Sequence, residues 1–125
     1  MNNTQKERIV VTTGSVLAKP SAETAPTKRF AFHQVDVFSS KPFLGNPLAV
    51  VVGAEGLSEE ILPVFSKWTN LSETTFLLRP TRPEADYRVR IFTGGTEIPF
   101  AGHPTLGSCH AWLASGGTRK GNQIV

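Results

Sequence analysis

The sequence predicts an α+β fold, with several short strands and two helices in one domain. The 11 Gly and 9 Pro among 125 residues indicate many turns, which favours strands over a helical bundle. Short apolar runs typical of strands are interleaved with two segments whose apolar residues recur at helical spacing. Hydrophobic residues make up 39% and charged residues 18%, which indicates a globular chain long enough to form one core.

The first 29 residues differ in composition from the rest. They are rich in small polar residues and show no sustained hydrophobic period, so we expect a disordered extension at 1–29 and a folded domain at 30–125. Five of the 13 basic and two of the 10 acidic residues precede Phe30, which leaves eight of each in the domain. Because a nucleic-acid-binding domain needs a basic face of its own, no nucleic-acid partner is expected.

Cysteine content and hydropathy predict the cellular location. The single cysteine, Cys109, excludes an intrachain disulfide and favours the reducing cytoplasm. No apolar run approaches the ~20 residues that cross a bilayer, so no membrane partner is expected.

The apolar patterns predict five strands. A β-rich run begins at Phe30, and the continuous apolar run at 48–52 is typical of a strand buried on both faces. Further strands are predicted at 74–78 and, from alternating apolar and polar residues, at 87–92. The Gly94-Gly95 pair predicts a hairpin that leads to a short return strand at 97–100.

The first predicted helix follows the second strand. Ser58 is a favourable N-cap and the helix is expected to end near Asn70. Pro63 predicts a kink or a late start, because proline removes a backbone N–H donor. The residues at i, i+4 and i+7 that form the predicted buried stripe are Ile61, Phe65 and Trp68.

The second predicted helix runs over 103–116 and contains many small residues. Pro104 suits the first helical position, and the small side chains allow a close approach to a sheet. The predicted apolar stripe consists of Leu106, Cys109 and Leu113. Residues 121–125 resemble the beginning of another strand, which indicates that the chain is part of something longer.

Three places could carry chemistry. Glu73 lies where a helix ends and a strand begins, so its carboxylate could face a cleft; the alternative is a solvated loop side chain. Gly102 and His103 open a helix whose free N–H groups suit a carboxylate; the alternative is a capping turn in which His103 is only hydrogen-bonded. Asn46 presents an amide from a Gly-Asn-Pro turn.

Other constellations are weaker. Cys109 as a nucleophile is disfavoured, because a thiol on an apolar stripe is usually buried and inert. His103 and His110 lie two helical turns apart with no third ligand at suitable spacing, so no metal is expected. The sequence also lacks a phosphate-binding loop and a dinucleotide-binding glycine pattern.

Several motifs in a fixed order closely resemble the phenazine-biosynthesis (PhzF-like) isomerase family, which shares its fold with diaminopimelate epimerase. The resemblance runs from about Phe30 to Val125. The motifs are Phe-His-Gln-Val-Asp-Val-Phe at 32–38, Gly-Asn-Pro-Leu-Ala-Val-Val at 45–51, Asn-Leu-Ser-Glu-Thr at 70–74, Ile-Phe-Thr at 91–93 and Phe-Ala-Gly-His-Pro-Thr-Leu-Gly at 100–107.

The resemblance implies a fold of two similar halves with the active site between them. Each half is a mostly antiparallel, curled sheet, a half-barrel, around a central helix. The helix at 103–116 matches that central helix. This chain would then be the N-terminal half only, truncated at the start of the second half.

The resemblance also implies an activity and its residues. Glu73 is the expected catalytic acid/base, His103 and Gly102 line the substrate cleft, and Asn46 and Ser72 flank it. Epimerase relatives have a catalytic cysteine at the place of Gly102, so carboxylate chemistry fits better than two-cysteine racemisation.

The expected reaction moves a proton on a small cyclic or amino carboxylic acid without a cofactor. In the best-known members the substrate is a dihydro-hydroxyanthranilate, and we expect a homodimer. The alternative is a non-catalytic half-domain that acts only as a binding or self-associating module.

Overall fold

The computed structural model describes residues 8–12 and 27–125, which form one sheet of six strands with two helices. The strands follow one another across the sheet in chain order. The elements are β1 (Arg8–Thr12), β2 (Thr27–Val37), β3 (Asn46–Val52), α1 (Ile61–Thr69), β4 (Glu73–Leu78), β5 (Arg88–Thr93), β6 (Thr96–Ile98) and α2 (Gly102–Ala114).

The sheet is mixed. The pairs β2–β3, β4–β5 and β5–β6 are antiparallel, whereas β1–β2 and β3–β4 are parallel. The predicted α+β class is confirmed, and three of the five pairings in this part of the chain agree with a mostly antiparallel sheet. Both glycines of the β5–β6 turn, Gly94 and Gly95, have positive φ, as a tight two-residue hairpin requires.

The two helices pack on opposite faces of the sheet. Leu48 and Val50 contact α2 through Ala111, whereas Val51 belongs to a second cluster with Leu62 of α1. Successive side chains of a strand point to opposite faces, so β3 is covered on both sides. This double burial explains why 48–52 is a continuous apolar run, and the predicted strand is confirmed.

Helix α1 begins later than its cap signal predicts. Its N-cap is Glu60 rather than Ser58, and Pro63 occupies the third helical position, where its missing N–H removes no intrahelical bond. The helix ends at Asn70, which has a left-handed conformation. The predicted buried stripe is wrong at Trp68, which is 74% exposed. The side of α1 that packs on the sheet carries the small, buried Ser66 instead.

Helix α2 packs against the sheet chiefly through small residues, together with the partly buried Trp112. A Cβ atom on Gly107 would lie 2.6 Å from Leu48 Cδ2 and 2.9 Å from Val37 Cγ2. The predicted close approach of a thin helix is therefore confirmed. The predicted apolar stripe is wrong, because Leu106 and Leu113 are 57% and 47% exposed, whereas the buried residues of the helix are Pro104, Gly107, Ser108 and Ala111.

The chain ends differ from the predictions in two places. Residues 8–12 form a strand and β2 begins at Thr27, whereas a disordered extension was expected at 1–29; the rest of that extension, 1–7 and 13–26, lies outside the described residues. Residues 121–125 form no strand, so that expectation is wrong.

The side chain of Asp86 explains the geometry of the final segment. Its carboxylate accepts the backbone N–H groups of Lys120 and Val125, and its own N–H donates to the carbonyl of Val125. These bonds occupy backbone groups of Lys120 and Val125, and the two that the carboxylate accepts lower the pKa of Asp86. No helix of the described ranges is long and apolar enough to cross a membrane.

A charged cluster ties the start of α1 to β5 and β6. Arg90 donates from Nε and Nη2 to Glu97, at 2.8 and 2.7 Å, and from Nη1 to both carboxylate oxygens of Glu59 at 2.8 Å. Its guanidinium carbon lies 5.5 Å from the ring centre of Phe92. The bidentate hydrogen bond from Arg90 keeps the pKa of Glu97 below its ordinary value of 4.5.

We expect Gly107→Ala to lower the free energy of unfolding by about 1–3 kcal/mol, because the new methyl group collides with buried side chains. Chemical denaturation monitored by circular dichroism measures this change. Gly102→Ala is the control in the same helix, because a Cβ there meets nothing within 4 Å. Equal stability of the two variants would contradict the close packing of α2.

We expect the Arg90–Glu97 pair to make stability depend on pH. A carboxyl whose folded pKa is lowered stabilises the fold above its unfolded pKa, near 4.5, and loses this contribution as pH falls through the folded pKa. Glu97→Gln should therefore be less stable than the parent at pH 7 and approach it in acid. Unfolding curves from pH 7 to 2 test this, with Glu60→Gln as an exposed control; a constant difference would contradict it.

Candidate active site

Three polar side chains meet where β3, β4 and α2 come together. In the parallel β3–β4 pair, Leu48 lies beside Glu73, which opens β4. Asn46 precedes Leu48 by two residues and therefore points to the same face, which is the face that α2 covers. His103, the second residue of α2, completes the group.

The imidazole of His103 contacts both neighbours. Its Nε2 lies 2.9 Å from Glu73 Oε2, and its Nδ1 lies 3.2 Å from Asn46 Nδ2. The side chains of His103 and Glu73 are only 10% and 17% exposed. Their facing atoms are buried and are not aligned as a regular hydrogen bond.

The Asn46 contact favours one tautomer of the imidazole. Asn46 donates through Nδ2, so Nδ1 of His103 is the acceptor. The ring proton then lies on Nε2, the nitrogen that is 2.9 Å from Glu73 Oε2. This arrangement brings a proton donor and a proton acceptor together beside the start of a helix.

The backbone around Glu73 is held on both sides. The hydroxyl of Thr93 donates to the carbonyl of Ser72 at 3.1 Å, and the hydroxyls of Thr69 and Thr74 lie 3.0 Å apart. Sequence reasoning missed these threonines, since nothing in a single sequence pairs a hydroxyl with a carbonyl 21 residues away.

The beginning of α2 offers donors to an anion. An α-helix leaves its first N–H groups without intrahelical partners. Pro104 has no N–H and Thr105 N donates to the Ala101 carbonyl, so the free donors are the N–H groups of Gly102 and His103. The first turn contains no acidic residue, and the space above Gly102 is open.

The predicted site residues are not equally close. Glu73, His103 and Asn46 form the cluster, and Gly102 lies next to it on the exposed edge. Ser72 is exposed, and its described contact to the fold is made by its backbone carbonyl. Cys109 is partly exposed.

In the part of the chain that the structure describes, neither a metal-binding group nor the surface depression beside β2 marks this cluster. Among the residues that the structure covers, no group of three or more His, Cys, Asp or Glu could hold a metal ion. A surface depression of about 440 Å³ is lined by β2, the segment before β3 and Pro47 of β3, and includes neither Glu73 nor His103. We therefore place the candidate site by side-chain chemistry rather than by cavity size.

Comparison with known proteins agrees with this geometry. The family model described as phenazine biosynthesis-like protein, PhzC-PhzF, matches residues 35–125. The chain belongs to this family. Among solved structures, a PhzF-family protein from Bacillus anthracis is 35% identical with a TM-score of 0.64, covering 71% of this chain and 29% of that one.

Curated relatives of the PhzF family include isomerases. Antisense-enhancing sequence 1 of Schizosaccharomyces pombe is 57% identical over 86 residues, which cover 69% of this chain and 29% of that protein. Trans-2,3-dihydro-3-hydroxyanthranilate isomerase of Pseudomonas aeruginosa is 48% identical over 77 residues, covering 62% and 27%. The chain spans less than a third of the length of these relatives.

We expect Asn46→Ala to abolish the preference of the His103 imidazole proton for Nε2, so that both neutral tautomers are populated. In the parent chain, two-dimensional ¹H–¹⁵N spectra of the ring should show Nε2 protonated and Nδ1 bare, whereas the variant should show a mixture. Asn122→Ala, at an exposed position, is the control. A parent spectrum with Nδ1 protonated would contradict the assigned direction of the Asn46 hydrogen bond.

Proposed function

We propose that the chain supplies the acid/base half of a PhzF-like isomerase, which moves a proton on a small cyclic or amino carboxylic acid without a cofactor. The observation that carries this proposal is the contact of Glu73 with His103 at 2.9 Å, mostly shielded from water, at the beginning of α2. General acid/base catalysis requires a proton-exchanging group held beside the substrate in this way.

In this proposal, Glu73 is both base and acid. Its carboxylate takes a proton from one carbon of the substrate, and the electron pair of the broken C–H bond enters the conjugated system. The resulting carboxylic acid then returns the proton to another carbon, so that no atom or electron is gained or lost. Nε2–H of His103 donates a hydrogen bond to the substrate or to Glu73 and steadies the charge during the transfer.

The substrate carboxylate would bind the N–H groups of Gly102 and His103. A helix N-terminus favours an anion, and here the two free donors lie beside the proton-transferring pair. Asn46 would orient His103, and Ser72 would border the substrate. The name of the Pseudomonas aeruginosa relative suggests a dihydro-hydroxyanthranilate-like acid as the first substrate to assay.

The proposal extends to the complete assembly. We infer a half-barrel around α2, a second similar half that closes the cleft, a homodimer and a cytoplasmic location. The single cysteine supports the cytoplasmic location, and the match to only 27% of the Pseudomonas aeruginosa relative supports a second half.

A second candidate function rests on the outward side of α2. Leu106 is 57% and Leu113 47% exposed, so an apolar strip faces away from the sheet. A non-catalytic half-domain would use this strip to bind another copy or another protein. Light scattering combined with an isomerase assay on the purified chain separates this candidate from the enzyme, because only self-association without turnover supports it.

We expect Glu73→Gln to reduce isomerisation of trans-2,3-dihydro-3-hydroxyanthranilate by about 10²- to 10⁴-fold, because an amide cannot take up and return the proton. The assay uses the protein of full coding length and follows the substrate by absorbance. Binding of anthranilate, a stable carboxylic acid, should change little in calorimetry, since the N–H donors remain.

The control for this prediction is Glu60→Gln, which changes an exposed carboxylate in the same way. It should isomerise the substrate like the parent. Parental turnover in Glu73→Gln would remove Glu73 from the mechanism, whereas loss of anthranilate binding would show that Glu73 acts in binding.

A further inference from the structure

Two hydroxyl groups lie at the centre of the contact between α2 and the sheet. Ser108 Oγ donates to Thr75 Oγ1 at 2.8 Å, and Thr75 Oγ1 donates to the carbonyl of Ala49 at 3.4 Å. Both side chains are fully buried. The chain of bonds therefore links α2, β4 and β3 within an otherwise apolar contact.

A buried hydroxyl is costly unless it is hydrogen-bonded, so this pair constrains geometry more than the surrounding side chains do. The neighbouring contacts of α2, with Val37, Leu48 and Val50, are apolar and lack direction. They hold the helix against the sheet but tolerate small sliding along it. The Ser108–Thr75 bond has a fixed length and direction and opposes that sliding.

Thr75 and Ser108 lie on the same two elements, β4 and α2, that carry Glu73 and His103. Thr75 follows Glu73 by two residues on the same face of β4, about 7 Å along the strand. Ser108 follows His103 by five residues, about 7.5 Å along the helix axis. The Glu73–His103 contact and the Thr75–Ser108 bond therefore join the same strand to the same helix at two points, so a shift of α2 against β4 that breaks the bond would also change the separation of His103 Nε2 and Glu73 Oε2.

We propose that Thr75 and Ser108 are positioning residues for proton transfer. They set where α2 stands along β4 and hence the Glu73–His103 separation, without touching the substrate. This inference rests on the proposed isomerase function for its kinetic consequence. Its geometric consequence, the placement of His103, is independent of any activity.

The kinetic effect should fall on turnover rather than on substrate binding. The N–H groups of Gly102 and His103 move together with α2, so the anion-binding donors stay intact when the helix shifts. The distance from the bound substrate to Glu73 changes, because Glu73 belongs to the sheet. A misplacement of about 1 Å can lower a rate by about 100-fold.

The test compares Thr75→Val and Ser108→Ala with the parent in the protein of full coding length. We expect kcat for trans-2,3-dihydro-3-hydroxyanthranilate to fall by about 10- to 100-fold while KM stays within about threefold. Thr75→Ser keeps the hydroxyl and should restore most of kcat. The ring ¹⁵N signals of His103 should shift in the first two variants and return in Thr75→Ser.

Ser66→Ala is the matched control. Ser66 is buried to the same degree, lies on α1 on the opposite face of the sheet, and its hydroxyl has no hydrogen-bond partner among the described residues. Its replacement should leave kcat and the His103 signals unchanged. This control separates the loss of the Ser108–Thr75 bond from the general effect of removing a buried hydroxyl.

Unchanged kcat and unmoved His103 signals in Ser108→Ala and Thr75→Val would overturn the proposal. Should Thr75→Val fail to fold, Ser108→Ala decides the matter, because alanine is a good helix former. A parent protein without isomerase activity would refute the proposed function, and the His103 signals would then test positioning by themselves.

Discussion

The close approach of α2 to the sheet is the constraint on which the rest of the structure depends. At Gly107 the helix lies so near to Leu48 and Val37 that no side chain fits between them. Small residues on this side of the helix let its backbone approach the strands, and the first turn is thereby brought over the beginning of β4. A larger residue at 107 would collide with Leu48 and Val37 and push α2, and with it His103, away from the sheet.

Helix α1 contributes to the same site from the other face of the sheet. Helix α1 ends in a left-handed Asn70, and the chain then turns directly into β4, whose first residue is Glu73. Arg90 fixes the other end of α1 through Glu59. Thr93 holds the carbonyl of the residue before Glu73. The carboxylate is therefore carried on a backbone that is anchored at both ends, which limits the reorganisation needed for proton transfer.

The sequence predicts the elements better than the way they face one another. The strand at 48–52 was predictable because double burial leaves an uninterrupted apolar run. The side of α2 that contacts the sheet was not predictable from periodicity, which ranks residues by hydropathy. Side-chain size decides this contact, and Leu106 and Leu113 face outward. Glu73 stood out by its place at a helix–strand junction. The hydrogen bond from the Thr93 hydroxyl to the Ser72 carbonyl was not predictable, because it depends on the pairing of β4 with β5, which a single sequence does not display.

The same outward side of α2 bears on how the site would operate. The donors of Gly102 lie at the exposed edge of the cluster, where water weakens the attraction between an N–H group and a carboxylate. Glu73 and His103, by contrast, are already shielded on the side of the sheet. A surface that covers Leu106 and Leu113 would lie on the same helix and could also remove water from its first turn. Under the proposed function, a surface that covered this strip would therefore also strengthen the hold of the first turn on the substrate anion.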